Sequence, residues 1–274
     1  MQDNSALDRA MAMVRDLRRR CSWDKAQTRD TLRPYLVEEV LELDHALADG
    51  DVSAIRSELS DLLLHLAFQL VIAEEREEFT AETVAADLET KMRRRHPHLF
   101  GLGEPEAWER IKRRERKGAV LSGIVPTLPT LLMAFRLQER AASVGFDWPD
   151  VEGPLKKVRE ELIEVEQQLL LQGSVESEHD LDPNTPGHTR SEELMDEIGD
   201  LFFAAVNLAR KAGVQPGPAL DRANGKFRRR FEQIERLASE RGIDLGSAGL
   251  EVLDSLWEEV KFTDKAGESA GETQ

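Results

Sequence analysis

An acidic helical signature occurs twice in this chain, and it narrows the choice of fold more than any other feature. The first copy reads Glu38-Glu39-x-x-Glu42, followed by Glu58-x-x-Asp61. The second reads Glu160-Glu161-x-x-Glu164, followed by Glu197-x-x-Asp200. Residues three or four apart share one face of a helix, so each copy sets four or five carboxylates on two facing helices. Packed carboxylates repel one another and are costly to bury unless a cation compensates them. Oxygen clusters of this kind hold hard divalent cations, Mg2+ above all, with Mn2+ an acceptable substitute. The pattern predicts two Mg2+ sites, and such sites commonly serve phosphates.

The acidic segments are part of a longer internal repeat. Trp23-Asp24 precedes the first set and Asp147-Trp148 the second. A long apolar run follows each Glu-x-x-Asp, LSDLLLHLAFQLVIA in one half and IGDLFFAAVNLARKA in the other. Basic pairs one helical turn apart come next, Lys91 with Arg95 and Lys226 with Arg230. A Trp-x-x-x-Lys pair closes each half, Trp108 with Lys112 and Trp257 with Lys261. Spacing differs chiefly between the acidic segments, with 15 residues between Glu42 and Glu58 but 32 between Glu164 and Glu197. The chain thus divides into a first module over 1–117, a Gly/Pro-containing linker over 118–130 and a second module over 131–263. Within the second module, the Ser/Pro-rich stretch 172–191 reads as a mobile loop. Residues 264–274 read as a disordered tail.

Helical periodicity sharpens the expected site. On the wheel of the Glu58 helix, apolar residues from Leu62 to Ile72 point nearly all round, so that helix should be buried on most sides. Glu58, Asp61, His65 and Gln69 form one polar stripe about 80° wide, too narrow for a solvated face. Glu193, Glu197, Asp200 and Asn207 occupy the matching sector in the second half. On the preceding helix, Leu36, Val40, Leu43 and Leu47 define an apolar arc, with Glu39 at its margin and Glu38 further out. The second half repeats this with Leu155, Leu162, Val165 and Leu169 around Glu161, and Glu160 outside. His65 reads as a core histidine or one that supports a ligand.

Composition excludes several classes. Thirty-seven basic against 53 acidic residues give a net charge of −16, which opposes a generic nucleic-acid surface. It leaves room for a small polyanion held through a metal. Aromatics at 5% and few β-branched runs favour helices, and no alternating strand pattern is found. The single cysteine, Cys21, fits a reducing cytoplasm and a thiol without a catalytic role. The amino terminus is polar, unlike a secretory leader. No apolar run reaches the roughly 18 residues of a membrane span; the longest, Leu62 to Ala73, is interrupted by His65 and Gln69.

The basic and aromatic pairs allow two readings. Singly, each is ordinary surface charge or packing. Yet the run Met92 to His98 is strongly basic in an acidic chain. Arginine gives bidentate and lysine point-charge contacts to a triphosphate, and a tryptophan face can stack on a base.

The string CSWDKAQT, the acidic set and KMRRRHPHLFG together resemble the MazG family of nucleoside triphosphate pyrophosphohydrolases. GFDW, EELIEVE, DEIGDLFFAAVNLARKAG and ANGKFRRRF resemble a second such module. Ser22 departs from the pattern, standing where the family usually has proline. The resemblance implies an all-α bundle completed by homodimerisation, and Mg2+-dependent conversion of NTP to NMP and pyrophosphate. It implies metal ligation by Glu39, Glu42, Glu58 and Asp61, and by Glu161, Glu164, Glu197 and Asp200. It further implies nucleotide contacts by Lys226, Arg230, Trp257 and Lys261, with Lys91, Arg95, Trp108 and Lys112 as counterparts. Glu38 and Glu160 are the candidates to orient or deprotonate the attacking water. Two other readings stay open. A ferritin-like di-metal bundle uses Glu-x-x-His motifs, and none lies beside either Glu-x-x-Asp. A non-catalytic nucleotide-binding or regulatory helical scaffold is the other.

Overall fold

The computed structural model describes residues 5–106, 111, 114, 115, 118–172 and 191–271, without the side chains of residues 172 and 265–271. Trp108, Lys112, residues 173–190 of the expected mobile loop and residues 272–274 lie outside the described residues. The fold is all-α. Among the described residues there are ten α-helices, one 3-10 turn and no strand. The chain divides into two compact units, Met1–Arg114 and Glu115–Gln274. That division falls just ahead of the linker expected over 118–130.

The first unit contains α1 (Ala6–Arg20), α2 (Ser22–Ala26), α3 (Arg29–Asp49), α4 (Val52–Glu75), α5 (Ala81–Arg95) and a 3-10 turn at Pro97–Leu99. Local sequence sets these limits. Ser5 and Asp8 form a capping box at α1, and Asp51 Oδ1 accepts from the Ser53 and Ala54 amides at α4. Gly50, at φ +72°, ends α3 in the left-handed region. Only Gly50 and Asp51 separate α3 from α4, so the two pack as an antiparallel hairpin. The core joins Met11 and Val14 of α1, Leu32 of α3, and Ala67, Phe68, Leu70, Val71 and Ile72 of α4. Arg18 locks the corner. Its guanidinium makes a bidentate pair with Glu75 at 2.9 and 2.7 Å and donates to the Asp24 and Gln27 carbonyls. That fixes the Trp23 turn against the far end of α4.

The second unit contains α6 (Thr130–Ala142), α7 (Glu152–Gln172), α8 (Glu192–Lys211), α9 (Pro216–Arg241) and α10 (Gly249–Gly271). Helices α7 and α8 form the counterpart of the α3/α4 hairpin, and α6 packs on α8 as α1 does on α4. Ser191 caps α8, accepting from the Leu194 amide. Ile234 and Ala238 of α9 and Leu256 and Val260 of α10 form a separate buried cluster. Helix α10 continues to Gly271, past residue 264 where the sequence suggested a tail.

Two expectations about burial are corrected. The apolar arc on α3 is only partly covered by the described residues: Val40 is 49% and Leu47 57% exposed, Leu36 and Leu43 are half-buried, and Leu32 and Ala46 are the residues fully buried. Leu155, Leu162 and Leu169 of α7 are likewise exposed, whereas Val165 is buried as expected. Helix α4 is buried on most sides only over its last two turns, with Leu59, Leu64 and Leu66 exposed. The reason is geometric. Helix α1 covers the carboxyl-terminal part of α4, and no described element of the unit covers the remaining apolar face.

Candidate metal centre

Helical register delivers the acidic side chains to one place in each unit. In the first, Glu39 of α3 meets Glu58 and Asp61 of α4, and one carboxylate oxygen from each lies within 4.8 Å of the others. Glu58 and Asp61 share a face because they are three residues apart, and the hairpin brings Glu39 opposite. Burial, then repulsion from Asp61, Glu42, Glu58 and Glu38, holds the Glu39 carboxyl above its ordinary range. Burial raises Glu58 too, followed by Glu42 and Asp61. A cluster in which Glu39 and Glu58 resist ionisation without a cation, drawn from a donor set of carboxylate oxygens, fits a hard divalent ion. Glu42 is exposed and sits at the margin, hydrogen-bonded to Glu58. His65 lies one turn beyond Asp61, buried, and its Nδ1 has no partner among the described residues. Burial lowers its pKa and keeps the imidazole neutral.

The second unit repeats the triad with Glu161 of α7 and Glu197 and Asp200 of α8, again within 4.8 Å. One cation makes it different. Lys157 Nζ lies 2.5 Å from Glu161 Oε1 and 2.8 Å from Glu160 Oε1. Glu161 is buried at 3% exposure. The bond from Lys157 holds its carboxyl below the ordinary range despite that burial. Glu164 shares a hydrogen bond with Glu161, which raises the Glu164 carboxyl above its ordinary range.

The surroundings also differ. In the first unit, Glu38, Glu42 and Glu58 border an open groove of about 700 Å3 with Val37 and Leu41. In the second, Glu161, Asp200 and Lys157 line a cavity of about 800 Å3 together with Trp148, Phe203 and Gln138. Trp148 is firmly placed. Lys211 Nζ donates to its carbonyl at 2.7 Å, Arg210 pairs with the preceding Asp147, and its indole lies against Gly153.

The remaining expected contacts are elsewhere. Lys226, Arg230, Trp257 and Lys261 do not line the cavity that holds Glu161. Arg230 pairs with Asp264 at 2.9 Å and stacks over Trp257, which packs on Phe227. Lys261 pairs with Glu258 at 2.6 Å, while Lys226 is exposed. Lys91 is exposed and Arg95 half-buried near the end of α5, a helix that buries none of its side chains. Sequence reading missed Lys157, although its place four residues before Glu161 was visible at helical spacing. It also missed Gln138, whose only signal is a polar residue three positions after Phe135 on the buried face of α6.

Among the described residues the fold is strand-free, and it is defined by two helical hairpins that each carry a carboxylate cluster able to hold a metal ion. The MazG nucleotide pyrophosphohydrolase domain matches residues 27–100, which span the first centre. The chain is 39% identical over 251 residues to the nucleoside triphosphate pyrophosphohydrolase/pyrophosphatase MazG of Thermotoga maritima, covering 89% of this chain and 91% of that protein. It is 37% identical over 262 residues to the nucleoside triphosphate pyrophosphohydrolase of Escherichia coli K12, covering 92% and 94%. The enzyme of that name from Mycobacterium tuberculosis is 36% identical over 146 residues, about half of each chain. The chain belongs to the MazG family.

Proposed function

We propose that the protein hydrolyses nucleoside triphosphates between the α and β phosphates, in a Mg2+-dependent reaction that yields NMP and pyrophosphate. The observation that carries this reading is the triad of Glu161, Glu197 and Asp200, two of whose members, Glu161 and Asp200, line a cavity that also contains a lysine and an aromatic face. Those residues suit, respectively, a divalent ion, phosphate charge and a nucleotide. Glu161, Glu197 and Asp200, with Glu164 at the margin, would hold the ion; Glu39, Glu58 and Asp61, with Glu42, would do so in the first half. Bound there, Mg2+ supplies neutralisation of the charge that develops on phosphate oxygens.

The chain's own side chains do the rest. Glu160 in the second half, or Glu38 in the first, accepts the proton of the attacking water. The water oxygen bonds to phosphorus, the bridging P–O bond breaks, and pyrophosphate leaves with that electron pair. We assign turnover chiefly to the second half, because its cavity sets a lysine and a tryptophan face beside the carboxylates, whereas the groove of the first half is lined by neither. Lys226, Arg230, Trp257 and Lys261 would reach a nucleotide only from outside this cavity. A homodimer accounts for that and for the exposed apolar arcs of α3 and α7. A reducing cytoplasm suits the free thiol of Cys21, and no described helix is long and apolar enough to cross a membrane. Clearance of unwanted nucleotides is the cellular role this chemistry suits.

The test is the site of cleavage. With ATP and Mg2+ as the panel standard, phosphorus NMR should show AMP and pyrophosphate appearing together. ADP and inorganic phosphate would contradict the proposal, as would turnover undiminished by a chelator.

A further inference from the structure

Asn207 continues the polar stripe of α8 without joining the carboxylates. It stands seven residues past Asp200, two turns and about 10 Å along the same side of the helix. Both residues line the second cavity, which therefore has a carboxylate end and an amide end. Trp148 belongs to the amide end. Lys211, one turn past Asn207, donates to its carbonyl, and its indole lies against Gly153, two turns before Glu161 on α7. Chemistry orients the Asn207 amide. Arg210 donates to Asn207 Oδ1 twice, from Nε at 3.1 Å and from Nη2 at 2.8 Å. A guanidinium only donates, so Oδ1 faces it and the NH2 group is the end left over. Arg210 is held in turn by both carboxylate oxygens of Asp147. Asn207 Nδ2 has no protein acceptor among the described residues, yet it keeps accessible surface, so solvent satisfies it until a ligand arrives. The hairpin does not need this polar pair. In the first half, Phe68 and Val71 hold the matching positions, seven and ten residues past Asp61, and both are buried in the core.

We propose that Asn207 sets the base preference of this cavity, its Nδ2 donating to the oxo group at C6 of a purine or C4 of a pyrimidine while the base lies against Trp148. The inference rests on the nucleoside triphosphate chemistry proposed for the same cavity. A nucleotide with its phosphates at the carboxylate end carries its base, one sugar away, toward Asn207. An unrestrained asparagine reads adenine with both ends of its amide, the oxygen taking the exocyclic amine and the nitrogen donating to N7. Arg210 occupies the oxygen, so that pairing is closed and a donor remains. A 6-oxopurine offers this donor two acceptors on one edge, O6 and N7. The amine of adenine or cytosine sets donor against donor. Trp148 offers a face to any base; Asn207 adds the discrimination.

The test compares ITP with ATP and UTP with CTP, by kcat/KM for pyrophosphate release and by the affinity of their non-hydrolysable α,β-imido analogues. Wild type should favour each oxo-bearing nucleotide by about fivefold, the worth of one partly solvated hydrogen bond. Asn207→Asp keeps an acceptor for Arg210 and turns the remaining end from donor to acceptor. It should reverse both preferences, since its added charge acts alike on the two members of each pair. Asn207→Leu should bring each pair within about twofold. Equal losses on all four nucleotides, with both ratios unchanged in both variants, would make Asn207 a structural residue and overturn the inference. Equal use of all four by wild type, which needs no variant, would also overturn it while leaving the hydrolysis intact. Hydrolysis of none by wild type would remove the underlying reading itself.

Discussion

Lys157 Nζ stands 2.5 Å from Glu161 Oε1, inside a carboxylate triad whose first-half counterpart has Tyr35 four residues before Glu39. The two centres therefore differ in charge while sharing their ligand geometry. The second carries its own cation, with Lys157 drawn tightly to Glu160 and Glu161. The first does not. Removing Lys157 should make the second centre behave like the first. Lys157→Met is expected to lower the melting temperature in EDTA and to increase the rise produced by Mg2+, both read by scanning fluorimetry. An unchanged response to Mg2+ would show that Lys157 does not offset the triad.

The same difference sets opposite pH dependences in the metal-free protein. The folded pKa of Glu39 lies above its ordinary value of 4.5. The folded state then binds more protons than the unfolded, so this group's contribution falls as pH rises from about 4.5 through the raised value. Glu161 is shifted the other way, and its contribution is lost as pH falls through its lowered value. In EDTA at pH 7, Glu39→Gln should raise the melting temperature. Glu161→Gln should lower it, since it breaks a pair with a half-exposed lysine worth about 1 kcal/mol. Melting curves from pH 4 to 8 check both signs.

How far the site was legible in the sequence depends on the interaction concerned. Glu39, Glu58, Asp61 and their counterparts could be read because helical spacing alone sets which side chains share a face, and the repeat supplied a second instance. The all-α class followed from the same periodicity. The apolar arc of Leu36, Val40, Leu43 and Leu47 was visible too, but hydrophobicity does not say whether a face meets its own chain or another. Val40 and Leu47 of that arc are exposed. Gln138 was invisible because its meaning lies in the Phe203 carbonyl, 65 residues away. The pairing of Arg230 with Asp264 is likewise long-range, and a basic residue on a helix does not announce its partner.

Val14 is fully buried among Phe68, Leu70 and Val71, a site with hydrocarbon neighbours. Val14→Gln should destabilise the first unit by about 2 kcal/mol or more, because the amide would be overpacked and unpaired. Urea titration followed by circular dichroism measures it. A neutral outcome would mean that this position tolerates an amide for its own sake.

Gly153 holds space for the indole of Trp148: a Cβ there would lie 2.2 Å from Trp148 Cε3. Gly153→Ala should displace the ring while leaving Lys157 and the triad in place. With 5-fluorotryptophan incorporated, one of the four tryptophan resonances should move and the rest stay. If Trp148 carries base stacking, KM for nucleotide should rise more than kcat falls.

The central claim is that the Glu161 centre hydrolyses nucleoside triphosphates. Its most direct measurement is pyrophosphate release from ATP with Mg2+, run on wild type, Glu58→Gln/Asp61→Asn and Glu197→Gln/Asp200→Asn, with helical content checked in each. Our account predicts release by wild type, most of it retained by the first double variant and abolished in the second. Full release by the Glu197→Gln/Asp200→Asn variant, correctly folded, would contradict it.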